Sequence, residues 1–159
     1  MSAARRGWSE GEFLAVAFLA ALVLRAAWSL HLPPTIVWFD GQQYSRLALG
    51  LLRDGTYLNV RGRPSAFWPP GYPALLAGVY AVAGPSVQAV RLVQALLGAL
   101  TVLPAHALAR RAAGERGARL AAVATAVYPL FVYAAGTFFP VTLLAALLAF
   151  ALWLAVLAV

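Results

Sequence analysis

The chain has no cysteine and no lysine, and only five acidic residues among its 159. Without cysteine there is no disulfide framework, no thiolate metal site and no cysteine nucleophile. The two histidines, His31 and His106, stand far apart without metal-ligand spacing, so neither is given a chemical role. A phosphate-cradling glycine loop and a Ser-His-Asp constellation are missing as well. All twelve basic residues are arginines, whose charge is permanent. The net charge of +7 is spread along the chain rather than gathered in a tract, which argues against nucleic acid as a partner. Charged residues make up 11% of the chain and hydrophobic ones 63%, whereas soluble domains carry about 25% and roughly 45–50%. So much apolar surface has no aqueous home, and the chain reads as an integral membrane protein.

Crossing a bilayer takes about 20 mostly apolar residues. Phe13–Leu30 is the first candidate, broken only by Arg25. Its 18 apolar-rich residues exceed the core of a cleaved signal peptide, about 7–15, and no small-x-small site follows. It is therefore read as a retained helix, stopped by His31-Leu32-Pro33-Pro34, because proline lacks an N–H and disfavours a helical residue before it. Further spans are expected at 87–108, at 120–137 with Pro129 inside, and at 139–159. The last is still apolar at Val159 and reads as the point where a longer chain continues.

Loop charges give an orientation. Arg5 and Arg6 precede the first span, and Arg110, Arg111, Arg116 and Arg119 lie between the second and third. Positive residues favour the cytoplasmic side, so the N-terminus is expected in the cytoplasm of a cell (inner) membrane and residues 31–86 outside it. The expected fold is all-α: a polytopic membrane protein of about four transmembrane helices, with one or two interfacial helices in this outer loop. One transmembrane domain covers 1–159, with no internal repeat and no soluble domain.

The outer loop carries the chemistry. Tyr44, Leu47, Ala48 and Leu51 recur at helical spacing, which predicts a short amphipathic helix lying in the membrane interface. Asp54-Gly55-Thr56-Tyr57 reads as the turn that ends it. Ala74–Gly84 is apolar but too short to span, and suits a second interfacial helix. Between them Pro69-Pro70-Gly71-Tyr72-Pro73 sets a rigid turn.

Two readings of Asp40 stay open. Asp40 and Gln43 are spaced as in a capping box, which would satisfy free N–H groups at a helix start. Alternatively Asp40 is a general base at the membrane mouth. Arg46, Arg53, Arg61 and Arg63 bring net positive charge to the loop; they suit either lipid headgroups or the phosphate of a lipid-linked substrate, with Arg63 the preferred phosphate ligand. Trp38, Phe39, Trp68 and Tyr72 suit sugar stacking, and equally the aromatic belt of any membrane protein. Arg25 and Arg91 lie nearer the apolar slab and are expected to snorkel outward or to face a polar cavity.

Taken in order, "FDGQQYSRLALGLLRDGTY", "RGRPSAFWPPGYPALLAGVYAVAG" and "VRLVQALLGALTVLPAHALARRAAG" follow a first membrane helix. This set resembles the N-terminal part of GT-C class membrane glycosyltransferases, the protein mannosyltransferase and lipid A aminoarabinose transferase-like group. The resemblance implies a longer enzyme that takes a sugar from a polyprenyl- or dolichyl-phosphate donor and inverts the anomeric centre. It implies that Asp40 is the general base and that Tyr44 and the segment from Arg63 through Trp68 to Tyr72 line the cavity. The partners would be the lipid-linked donor and membrane lipids, and 159 residues alone are expected to be inactive. One departure stands out: family members carry an acidic residue in a Pro-Glu-Thr-Leu-like stretch, where this chain has Val141. A second carboxylate, and any divalent metal it would help hold, are therefore without support, and no cofactor is assigned. The alternative is a small non-catalytic membrane protein, a scaffold or lipid-binding subunit.

Overall fold

The computed structural model describes residues 8–59, 61–64 and 67–158 of the chain; Arg5, Arg6 and Val159 lie outside them. The regular elements among these residues are helices: α1 (Glu10–His31), α2 (Phe39–Asp54), α3 (Gly71–Ala83), α4 (Val87–Leu100), α5 (Val102–Val127), α6 (Pro129–Ala135) and α7 (Val141–Leu157). Glu10–His31 and the run Val87–Val127 are long and apolar enough to cross a membrane. Gly71–Ala83 and Val141–Leu157 are shorter apolar helices. On α7, Leu144, Leu147, Leu148, Leu152 and Leu154 all face outward, which suits hydrocarbon and not water. This is an all-α membrane protein.

Local signals set the helix ends. Ser9 opens α1 with a capping box: its Oγ accepts from the Glu12 N–H, and the Glu12 carboxylate accepts from the Ser9 N–H at 2.8 Å. Gly55, at φ +63°, closes α2, and the Thr56 N–H reaches the Gly50 carbonyl at 3.2 Å. Gly114 has φ +68° and ψ −166°, a backbone that turns the chain back on itself inside α5. The result is visible at Glu10, whose carboxylate accepts from His106 before the turn (3.2 Å) and from Arg119 Nε after it (2.7 Å).

Side-chain contacts give the direction of each leg. Descending the first leg from Val87, Arg91 meets Leu32 and Pro33, Gly98 meets Arg25, and His106 meets Glu10, so this leg is antiparallel to α1. After Gly114, Arg119 meets Glu10 while Thr125 and Ala126 meet Arg25, so the second leg runs with α1. α7 descends again, with Thr142 near Gly98 and the Val156 carbonyl held by Arg111. An up–down–up–down bundle follows. Ala17, Ala21, Ala99, Val102, Ala122 and Ala126 form its central seam, where small side chains let helices approach closely.

Arg25 neither snorkels nor lines a polar cavity, contrary to expectation. It is fully buried and donates to the carbonyls of Ala126 (2.8 Å), Thr125 (2.9 Å) and Ala21 (3.1 Å). The reason lies four residues beyond Thr125. Pro129 has no N–H to return to the Thr125 carbonyl, and the helix breaks at Tyr128 (φ −60°, ψ 117°). Hydrocarbon offers no water to replace the lost bond, so the guanidinium of a neighbouring helix takes its place.

Losing Arg25 therefore leaves buried carbonyls unpaired, which costs about 1–3 kcal/mol per group. In a double-mutant cycle of Arg25→Met and Pro129→Ala, the alanine N–H is expected to take back the Thr125 carbonyl. The arginine should then matter less by about 0.5–1.5 kcal/mol. Reversible unfolding in mixed micelles measures the coupling, and strict additivity would show that the two residues do not share this carbonyl.

Candidate active site

At the end of the bundle where α1 stops, the chain exits through Leu32-Pro33-Pro34 and enters α2 at Phe39. This exit is pinned from α4. Arg91, only 4% exposed, donates to the carbonyls of Pro33 (2.8 Å), Thr35 (3.1 Å) and Leu32 (3.4 Å), and Gln88 also reaches Leu32 (3.3 Å). Arg91, like Arg25, is thus turned inward to backbone carbonyls instead of snorkelling. The start of α2 is pinned at Gly41, where an added Cβ would lie 2.8 Å from Phe138 Cβ and 2.8 Å from Ile36 Cγ2. Only glycine lets α2 approach the turn between α6 and α7 this closely.

Asp40 sits beside that contact, as the second residue of α2. Trp38 holds the cap position and makes no side-chain cap bond, so the capping-box reading of Asp40 and Gln43 does not hold. Gln42, not Gln43, bonds back to the loop, through the Ile36 carbonyl at 3.1 Å. Asp40 is partly exposed, and among the described residues its carboxylate has no ion pair.

One helical turn on, Tyr44 packs edge-to-face against Trp68 (centroids 5.0 Å apart) and against Tyr72 (5.1 Å). Burial, followed by the nearby Asp40 charge, pushes the Tyr44 hydroxyl above its ordinary range. Tyr72 is also pushed up, mainly by burial, and its hydroxyl donates to Gln94 Oε1 at 2.8 Å. Gln94 in turn donates to the carbonyls of Thr137 (2.7 Å) and Ala135 (3.0 Å), where α6 ends. A second tie, Ser45 to the Tyr80 hydroxyl at 2.8 Å, fastens α2 to α3.

Three of the expected site residues, Tyr44, Trp68 and Tyr72, are therefore brought together beside Asp40. Tyr44 and Tyr72 are 7% and 3% exposed, so most of each ring is packed and only Trp68 retains appreciable free surface. Arg63 is exposed on the loop bridged between Leu58 and Pro64, and its backbone N–H donates to Asn59 Oδ1 at 3.2 Å. Val141, the first residue of α7, faces outward. A cavity of about 170 Å³ opens nearby, between the α1 exit and the α6–α7 turn; Thr35, Trp38, Arg91, Tyr133 and Phe138 line it. Among the described residues no cluster of three histidine or carboxylate side chains could hold a metal ion.

The model of one protein family, dolichyl-phosphate-mannose-protein mannosyltransferase, matches residues 68–159, more than half of the chain. The chain belongs to this mannosyltransferase family. Among curated proteins and among solved structures nothing matches it. The mannosyltransferase match takes in Trp68, Tyr72, Arg91, Gln94 and Val141, whereas Asp40, Tyr44 and Arg63 precede it.

The positions that fasten the cap at this end of the bundle, Gln88, Arg91 and Gln94, were visible in sequence only as stray polar residues in an apolar helix. Their three-residue spacing on one helix face was the available signal.

Two outcomes follow from the packing. Gly41→Ala is expected to push α2 off Phe138 and to raise proteolysis of the loop between α1 and α3 several-fold, with the membrane bundle still folded; unchanged protection would show that α2 does not depend on this contact. Raised hydroxyl values at Tyr44 and Tyr72 mean that their share of cap stability is complete below about pH 10 and is lost as pH rises through the raised values. In an absorbance titration, the buried Tyr44, Tyr72 and Tyr80 should ionise only when the cap opens, and the half-buried Tyr57 above its ordinary range. Ionisation of all six tyrosines around pH 10 with the cap intact would contradict the burial.

Proposed function

We propose that this chain is the N-terminal segment of a membrane glycosyltransferase that moves a sugar from a polyprenyl-phosphate donor to an acceptor hydroxyl on the extracytoplasmic side. One observation carries the reading. Asp40 is a partly exposed carboxylate without an ion pair among the described residues, held at the end of an apolar bundle beside a fixed aromatic cluster. A carboxylate so placed can reach an acceptor hydroxyl and take its proton.

In this mechanism the acceptor hydroxyl attacks the anomeric carbon in line with the departing polyprenyl phosphate, inverting the centre. Asp40 takes the hydroxyl proton as the new C–O bond forms. Arg63 offsets the charge on the leaving phosphate. Trp68 offers a face to the sugar ring, and Tyr44 and Tyr72 hold Trp68 and Asp40 in register. The same topology supports the sidedness: Arg110, Arg111, Arg116 and Arg119 gather at the opposite end of the bundle from Asp40, and positive residues favour the cytoplasm. The four legs are then four spans, with α2 and α3 as interfacial helices in the outer loop.

A second reading, a non-catalytic lipid-binding subunit, draws on Val141, which stands where the related enzymes have a carboxylate. The two readings separate at Asp40. Asp40→Asn in the complete membrane-inserted protein is expected to lower sugar transfer from a polyprenyl-phosphate donor by about 10²–10⁴-fold. Transfer within a few-fold of wild type, with normal insertion, would remove Asp40 from the chemistry.

A further inference from the structure

The outer face of α2 carries a feature that glycosyl transfer does not use. Tyr44, Leu47 and Ala48 are buried against the protein, while Arg46 and Arg53, seven residues and nearly two turns apart, share the opposite, exposed side. Both line one cleft of about 390 Å³, between the second half of α2 and the loop that follows it. Thr56, Asn59 and Asp54 supply its other polar walls, and Leu49 and Leu58 its apolar ones. Neither guanidinium has a carboxylate within ion-pair distance among the described residues, although Asp54 adjoins Arg53. Arg61 and Arg63, exposed on the same loop, add to the positive field.

The cleft is built, not incidental. Asn59 N–H donates to the Arg63 carbonyl at 2.8 Å, and Asn59 Oδ1 accepts from the N–H groups of Arg61 (2.9 Å) and Arg63 (3.2 Å). Tyr57 ties the same loop to the aromatic cluster through the Trp68 carbonyl at 2.7 Å. A Cβ at Gly50 would lie 2.9 Å from the Thr56 carbonyl oxygen, so the loop can fold this close to α2 only over a glycine.

We propose that the Arg46–Arg53 cleft binds an anionic phosphate ester, holding the outer cap to the membrane surface at a place separate from Asp40. Two guanidiniums with free donors on a common face form a fork for phosphate oxygens. The leucines beside them suit the glycerol and first methylenes of a lipid headgroup, and an interfacial amphipathic helix sits at headgroup depth. A soluble phosphate presents the same oxygens, so the two sources must be told apart by experiment. The assignment does not depend on glycosyl transfer and is tested without it.

The purified full chain in neutral detergent is titrated with phosphatidylglycerol, with phosphatidylcholine and with inorganic phosphate, and bound species are counted by native mass spectrometry. Arg46→Gln/Arg53→Gln is compared with Arg110→Gln/Arg116→Gln at the other end of the bundle. All four side chains are exposed, so neither change should disturb packing. The first variant is expected to bind phosphatidylglycerol roughly thirtyfold more weakly than wild type, with phosphatidylcholine unaffected. If inorganic phosphate binds as tightly as the lipid and is lost in the same variant, the cleft still binds phosphate and its source is soluble. Equal binding of both anions to wild type and Arg46→Gln/Arg53→Gln, or no binding of either to wild type, overturns the assignment.

Discussion

The structure depends on one constraint: a backbone carbonyl released inside hydrocarbon must find a donor within the protein. Prolines and helix ends release such carbonyls at three places, and polar side chains from neighbouring helices meet each of them. Arg25 takes up Thr125 and Ala126 before Pro129. Arg91 takes up Leu32, Pro33 and Thr35 at the exit of α1. Gln94 takes up Ala135 and Thr137 at the end of α6. A charged guanidinium without a carboxylate is tolerable here because several carbonyl dipoles converge on it and share the charge.

These ties shape the end that carries α2 and α3 as much as the bundle. Arg91 and Gln94 lie three residues apart on α4; one holds the segment that leads into α2, and the other holds Tyr72 at the start of α3 together with the turn that leads into α7. The packing of Gly41 on Phe138 then brings α2 down onto that turn. Asp40 stands at this end because its neighbours on either side are fixed to the bundle; among the described residues its own side chain makes no ion pair. The family match places the chain among mannosyltransferases through its second half, and the carboxylate lies in the part before it.

Much of the architecture was legible beforehand. The apolar runs, the stop at Pro33-Pro34, the amphipathic repeat of Tyr44, Leu47 and Ala48 and the Gly55 turn all depend on local periodicity and backbone preference. The capping reading of Asp40 failed because N-capping is decided by where the first helical residue falls, and α2 begins two residues earlier than that pattern requires. Arg25 was misread, and the carbonyl partners of Arg91 were missed although it does line a cavity, because a lone arginine in an apolar run is normally drawn to water. Here the nearest unsatisfied oxygens belong to residues some sixty or a hundred positions away in the chain.

Composition and periodicity by themselves thus determined that this is a helical membrane protein with a structured segment after its first helix, since hydrophobic burial and helix termination act over a few residues. Which helix satisfies which broken carbonyl, which tyrosines are buried, and that Arg46 and Arg53 share a cleft were decided only in three dimensions. Those outcomes turn on contacts between segments far apart in the chain, and no local pattern encodes which neighbour a hydrogen-bonding group will meet.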